Sequence, residues 1–339
     1  MNDYLTKKKL EASTVVNNLL ESGDAEFITV YDIRDRILNK SNNASFESFT
    51  NKLVADFKKA NRLGNATVYK MALSFIKKHN GGKDISFQQI NYEFLKKLET
   101  EHLAKGHSLN SLSVYLRTVR AIYNRAINQN VAKREWYPFS RYSIRSTKTQ
   151  KRAITKNDIK KIEEYKTKPG TQDFHARNYF MFSFYMIGMN FTDMAYLTPA
   201  NIVNNRLEYK RKKTGKFYSL ALFDKPEKIL KFYLKGKKKD DYIFPIIERS
   251  EPELIRLDIQ NKLRTFNKYV GIVAAELEIQ GNITSYVARH SWASIGKFLN
   301  VPIQVISEGL GHDSIQTTQI YLDSFEANVI DDATKLITS

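Results

Sequence analysis

From Phe46 to Val131 the apolar residues recur at helical spacing four times over, with only short breaks between the runs. Phe49, Leu53 and Phe57 fall on one face of a segment from about Ser48 to Ala60. Val68, Leu73, Phe75 and Ile76 mark a second helix over Ala66–His79, which Asn80-Gly81-Gly82 stops. A third covers Asn91–Ala104 (Phe94, Leu95, Leu98), and a fourth Ser108–Asn130 (Leu112, Leu116, Val119, Ile122, Tyr123, Ile127). Four short-looped helices can bury their apolar stripes only against one another, so residues 44–132 are expected to form a small bundle. Before it, residues 1–40 read as an N-terminal helical segment. One helix carries Leu5, Leu10, Val15, Leu19 and Leu20 and ends at Gly23, a second runs Val30–Leu38, and Ser41–Ser45 is a polar break.

The pattern changes over 133–152. Lys133, Arg134, Arg141, Arg145, Lys148, Lys151 and Arg152 face only Glu135, and little apolar periodicity survives. This reads as a basic interdomain linker whose charge suits a phosphate backbone. A second domain then occupies 153–339. Thr155-Lys-Asn-Asp158 opens it as a helix start. A long helix is expected over Ala176–Gly188 and a short one near Thr192. Residues Arg206–Leu222 alternate and turn at Thr214-Gly215, which predicts a β-hairpin with a basic tip. The fold class is therefore mainly α with a small β-hairpin or sheet.

Composition narrows the partners. The formal net charge of +18 implies a polyanion, of which nucleic acid is the commonest. Arg117, Arg120 and Arg125 lie partly on one side of the fourth helix and add to that reading. The absence of cysteine excludes disulfides and thiolate chemistry. The start of the chain lacks the apolar stretch of a signal peptide. The most apolar run, Tyr179–Met189, is far shorter than the ~20 residues of a membrane span. No membrane partner is expected, and a cytoplasmic protein is.

Candidate chemistry gathers late in the chain. Arg289 is followed by His290 after Thr284-Ser285, which read as helix caps. His312 follows Leu310-Gly311, and Tyr321 follows Thr317-Thr318. A guanidinium and an imidazole can neutralise a pentacoordinate phosphorus, and a phenol can attack it and hold the phosphate covalently. No metal is needed for such a transfer. Upstream, the hairpin tip Lys210–Lys216 offers Lys213, with Arg211, Lys212 and Lys216 beside it, to reach a phosphate ester or protonate a leaving 5′-oxygen. Each piece alone is weak. Residues Val301–Tyr321 also read as a helix-turn-helix, which would make the chain a DNA-binding regulator.

Together these elements, in this order and spacing, resemble the tyrosine recombinase (phage integrase) family, from about Phe46 to the C-terminus. The Ala288-Arg289-His290-Ser291-Trp292 phrase is similar to the branch typical of Bacteroides mobile elements. The resemblance implies a two-domain DNA clamp: a SAM-like four-helix core-binding domain plus a tyrosine recombinase catalytic domain of α+β type. It implies that Tyr321 forms a 3′-phosphotyrosine, that Arg289 and His312 contact the scissile phosphate, and that Lys213 is the hairpin lysine. It further implies double-stranded DNA as partner, a homotetramer on DNA, no cofactor or metal, and a nucleoid-associated place in a bacterial cell. Accessory DNA-bending or directionality proteins are candidate further partners. Residues 1–40 are too short and too helical for the β-sheet arm-binding domain that some members carry. Residues after Tyr321, with Phe325, Val329, Ile330 and Leu336, are candidates for packing on a neighbouring protomer or within the chain.

Two positions depart from the family pattern. Asn190 stands where a first arginine is expected, and Tyr286 where a histidine is expected. Asparagine donates only a neutral hydrogen bond, and charge-assisted bonds are roughly twice as strong. Arg177 and Arg211 are the candidate substitutes. Tyr286 could bond a phosphate or simply pack. The departures keep a second class open, a catalytically silent DNA-binding relative, beside the recombinase and the regulator.

Overall fold

The computed structural model describes residues 2–21, 45–147 and 153–322. The chain divides into two compact units, residues 1–148 and 149–339. The first contains α1 (Asn2–Glu21), α2 (Phe46–Lys59), α3 (Leu63–His79), α4 (Tyr92–Ala104) and α5 (Leu109–Asn128). The expected helix at Val30–Leu38 lies outside the described residues.

Three of these helices begin where a side chain takes one of the first orphan N–H groups. Ser45, Asn91 and Ser108 each accept a backbone N–H at the start of α2, α4 and α5. α3 packs against both α2 and α5. Between them lies an aromatic centre in which the Phe87 ring meets Phe46 at 5.3 Å and Tyr123 at 4.9 Å, both edge to face. The Tyr123 hydroxyl sits 2.6 Å from the Phe87 carbonyl and 2.9 Å from that of Trp136.

That second contact belongs to a segment the sequence suggested was linker. Residues 133–147 are folded onto the bundle instead. Two short 3-10 turns, Arg134–Trp136 and Pro138–Ser140, lay Trp136, Tyr137, Phe139 and Ile144 against the core, and Tyr142 is buried in it. Irregular backbone has no apolar period, so its basic residues dominated the sequence pattern. The strap is fastened at two points. Buried Glu99 accepts from the Tyr142 hydroxyl (3.0 Å) and from Arg145 (2.7 Å). Asn110 exchanges two hydrogen bonds with the backbone of Thr147, at 2.9 and 3.0 Å. Burial raises the Glu99 carboxyl, but the bonds from Arg145, Tyr142 and Lys96 outweigh it and leave the group below its usual range. Lys148, Lys151 and Arg152 lie outside the described residues.

The second unit opens with α6 (Lys156–Glu164), whose capping box closes as expected: Asp158 N–H donates to Thr155 Oγ1 and Thr155 N–H donates to the Asp158 carboxylate. Its centre is α7 (Gln172–Tyr185), whose second half, from Tyr179, is apolar but for Ser183, and which packs against three later helices, α9 (Asp224–Leu234), α10 (Pro252–Glu276) and α11 (Ser285–Phe298). α7 ends at Tyr185, short of the expected Gly188, because Ile187 and Gly188 turn back at φ +56° and +65°. α8 (Phe191–Ala195) follows. A three-stranded antiparallel sheet in the order β1 (Ile202–Val203), β2 (Arg206–Lys210), β3 (Phe217–Ala221) comes next, with Leu207 opposite Leu220 and Tyr209 opposite Tyr218. Thr284 is the N-cap residue of α11 but makes no side-chain cap bond. Asn267 of α10 accepts the Ser285 N–H instead, at 2.9 Å. The described residues close with α12 (Ile303–Leu310) and α13 (Ile315–Leu322). Phe325, Val329, Ile330 and Leu336 lie outside them. Among the described residues no helix is long and apolar enough to cross a membrane.

Tyr123→Phe removes the donor that two carbonyls of the bundle share. Denaturant unfolding should show a loss of about 1–3 kcal/mol for this variant. An unchanged midpoint would mean that the strap does not depend on this hydroxyl.

Candidate active site

The site is assembled around the turn that follows α7. Gly188 has φ +65°, and a Cβ there would lie 2.4 Å from the Cα of Arg289. Only glycine allows both the backbone conformation and the approach. The contact presses the turn against α11 and buries Arg289, which is 6% exposed. Its guanidinium donates to the Gly188 carbonyl (3.3 Å) and to the Leu310 carbonyl at the end of α12. These acceptors are neutral, so the positive charge is oriented without being cancelled.

Asn190 and Asp193 follow the turn. Asn190 is exposed and is the N-cap of α8, accepting the Thr192 N–H at 2.9 Å. Asp193 is buried and reaches across to the hairpin loop, where it accepts the Lys212 N–H at 2.8 Å. Burial pushes its carboxyl up; that N–H and the charges of Arg211, Lys212 and Arg289 pull the other way. Asp193 was not among the residues singled out from the sequence, although it stands three positions after Asn190.

The hairpin loop spans Arg211–Lys216. Arg211 N–H donates to Lys216 O, Gly215 N–H donates to Arg211 O, and Gly215 takes φ +72°. Asp193 holds Arg211 as an ion pair at 3.9 Å, and the Arg211 guanidinium donates to Leu310 O at 3.4 Å. Arg211 and Arg289 therefore converge on one carbonyl. Lys216 points its ammonium at the Glu308 carbonyl, 3.4 Å away. The Tyr218 hydroxyl lies so close to Gly311 that a Cβ there would meet it at 2.0 Å. Lys212 lies over the Tyr196 ring at 4.1 Å, and Lys213 is exposed at the tip.

Gly311 ends α12 in the left-handed conformation (φ +65°), and the N–H groups of Gly311 and His312 close onto the carbonyls of Glu308 and Ser307. This places the His312 ring beside the two guanidiniums. Its Nδ1 lies 2.9 Å from Oγ1 of buried Thr318 on α13. Burial lowers the imidazole pKa, Arg289, Arg211 and Lys216 lower it further, and Asp313 opposes them. Tyr321 lies in α13, with its side chain outside the described residues. On the other flank, Asn190, Tyr286, Gly188 and Arg289 line a cavity of about 50 Å³. Tyr286 is half exposed, with its ring edge to face on His290 at 4.7 Å.

Other residues picked from the sequence are not brought here. Arg177 donates to the Tyr165 carbonyl (2.7 Å) and to the Asn178 side chain, and lies over the Phe174 ring. Its donors are engaged away from Arg289. Arg117, Arg120 and Arg141 are exposed on the first unit, where Arg145 pairs with Glu99 and Arg125 lies over Phe57 and Tyr69.

Residues 152–328 match the model of the phage integrase family, and residues 45–144 match that of the phage integrase SAM-like domain. The tyrosine recombinase XerA of Pyrococcus furiosus is 26% identical over 235 residues, which cover 67% of this chain and 73% of that protein. The tyrosine recombinase XerA of Saccharolobus solfataricus is 26% identical over 121 residues, 36% of each protein. Among solved structures, a lambda integrase (75-356) dimer bound to a COC' core site shares the fold, with a TM-score of 0.58 at 14% identity, over 84% of this chain and 97% of that one.

Gly188→Ala should force the turn off the α11 backbone. Strained φ and overpacking together are expected to cost about 2 kcal/mol or more. Thermal unfolding checks this, and a variant as stable as the parent would show that the turn and α11 do not depend on that approach.

Proposed function

The chain belongs to the phage integrase family, the tyrosine-type site-specific DNA recombinases, and we propose that it cuts and rejoins duplex DNA through a phosphotyrosine on Tyr321. The observation that carries the mechanism is the convergence of Arg289, Arg211 and the His312 ring around the end of α12. A phosphate placed there would meet two guanidiniums and an imidazole at once, the arrangement that stabilises charge on pentacoordinate phosphorus.

The Tyr321 oxygen attacks phosphorus. A 3′-phosphotyrosine forms, the bond to the 5′-oxygen breaks, and that oxygen leaves as a hydroxyl. Lys213 at the hairpin tip is the proton donor, with Lys212 and Lys216 beside it in the loop. Attack by a 5′-hydroxyl of the partner duplex then restores the phosphodiester and frees the tyrosine. The ester bond is conserved throughout, so no nucleotide is consumed. Exchange of both strands between two duplexes calls for four tyrosines, hence a homotetramer on DNA. The helical unit through Thr147 serves as core-binding domain, with Arg117, Arg120 and Arg141 as phosphate contacts, and the second unit as catalytic domain. A mobile element in a bacterial cytoplasm is the setting that fits this activity, with DNA-bending or directionality proteins as accessory partners.

Arg211 supplies the charge that Asn190 cannot. Its guanidinium shares an acceptor with that of Arg289, whereas Arg177 is engaged by Tyr165 and Asn178. Tyr286 lines the cavity beside Arg289, and its ring packs edge to face on His290. The catalytically silent reading draws on Asn190, which supplies no charge and caps α8.

Nicked duplexes from the DNA flanking the gene, run on denaturing gels beside a gel shift, separate the two readings. The parent should form an SDS-resistant adduct that Tyr321→Phe abolishes. Arg211→Ala should slow adduct formation by on the order of 10²–10³, while Arg177→Ala leaves its rate unchanged. Clear binding with no adduct would establish the silent relative, and an unaffected Arg211→Ala would leave Arg289 as the sole guanidinium.

A further inference from the structure

Thr318 is fully buried on α13, and its hydroxyl faces a ring instead of a backbone carbonyl. Several threonines on other helices do otherwise. Thr50, Thr67 and Thr118 each donate to the carbonyl four residues back, at 2.6, 3.0 and 3.0 Å. Thr318 Oγ1 instead lies 2.9 Å from His312 Nδ1. His312 stands outside the helices, just after left-handed Gly311, while Thr318 stands three residues before Tyr321 on α13. The bond therefore ties the ring to the helix that carries the tyrosine.

Such a bond can run either way: the hydroxyl donates to a bare Nδ1 or accepts from Nδ1–H. The surroundings and the chemistry choose. The ring faces Arg289 from α11, Arg211 and Lys216 from the hairpin loop, and Asp313 next along the chain. Burial and the three cations hold the imidazole below its usual range, against the opposing charge of Asp313, and so favour the neutral ring. A neutral ring donates from one nitrogen only. For Nε2 to donate to a phosphate oxygen, Nδ1 must be the acceptor, and the Thr318 hydroxyl is the donor at hand.

Resting on the recombinase reading, we propose that Thr318 is a positioning residue whose hydroxyl donates to His312 Nδ1, fixing the Nε2–H tautomer and tying the ring to the helix of Tyr321. Thr318→Val keeps the branched shape and removes the donor; Thr318→Ser keeps the donor. In the full chain labelled with 15N-histidine, the His312 resonances, assigned with His312→Asn, report the tautomer without any need for turnover. The parent and Thr318→Ser should show protonated Nε2 and bare Nδ1, and Thr318→Val should shift toward the opposite tautomer. On nicked duplex, Thr318→Val should form adduct on the order of 10-fold more slowly than the parent, with DNA binding and melting temperature unchanged and Thr318→Ser restoring the rate. Below the lowered His312 pKa both ring nitrogens carry protons, so the valine deficit should shrink as pH falls. A purely structural threonine would give a deficit independent of pH. Bare Nε2 in the parent, or a tautomer unmoved by valine, overturns the assignment. No adduct from the parent counts instead against the recombinase reading, which the tautomer measurement does not depend on.

Discussion

The arrangement of the second unit depends on one buried guanidinium that has no carboxylate of its own among the described residues. Arg289 is held by the carbonyls of Gly188 and Leu310. Burying a charge against neutral acceptors is costly, and removing a partner from such a site is strongly destabilising. The surrounding structure meets that demand in pieces. Gly188 gives up a side chain so that the turn can reach Arg289. Asp193, the nearby acid, is committed to the hairpin loop through Lys212 and Arg211. The hairpin in turn is docked on α12 through Arg211, Lys216 and Tyr218. The result is a region with more fixed positive charge than the protein neutralises, which is the electrostatic condition for gripping a phosphate.

The same field adds to the effect of burial on the imidazole. Burial first, and then the neighbouring cations, make His312 lose its proton more readily than a free histidine, so the proposed mechanism takes it as a hydrogen-bond donor and not as a third charge. Neutrality makes the tautomer matter, and a buried threonine next to it becomes chemically relevant. Asn190 also gains a reason. At the N-cap of α8 it holds the short helix that carries Asp193, so the position that lacks a guanidinium still anchors the acid that positions another one.

Much of this was legible in the residues. The four helices of the bundle, the capping box at Thr155, the hairpin and the turn between the two helices of Val301–Tyr321 each follow from local chemistry that the sequence displays. The order of Arg289, His312 and Tyr321 pointed to phosphoryl transfer, and Arg211 was already a candidate beside Arg177. What stayed hidden is non-local. Nothing in the spacing says that Arg177 is engaged by Tyr165 or that Arg211 meets Arg289 at a single carbonyl. The strap at 133–147 was misread because its aromatic residues pack through irregular backbone, which leaves no period to detect. The Asn267 cap on α11 was missed because its donor and acceptor are 18 residues apart.

The central claim is that Tyr321 becomes esterified to DNA. The direct measurement is peptide mapping of the trapped complex by mass spectrometry, after nuclease and trypsin digestion. The account predicts that the peptide of residues 298–335 carries a nucleotide joined through its 3′-phosphate to Tyr321. A nucleotide on any other side chain, or none on a protein shown to bind its site, would contradict it.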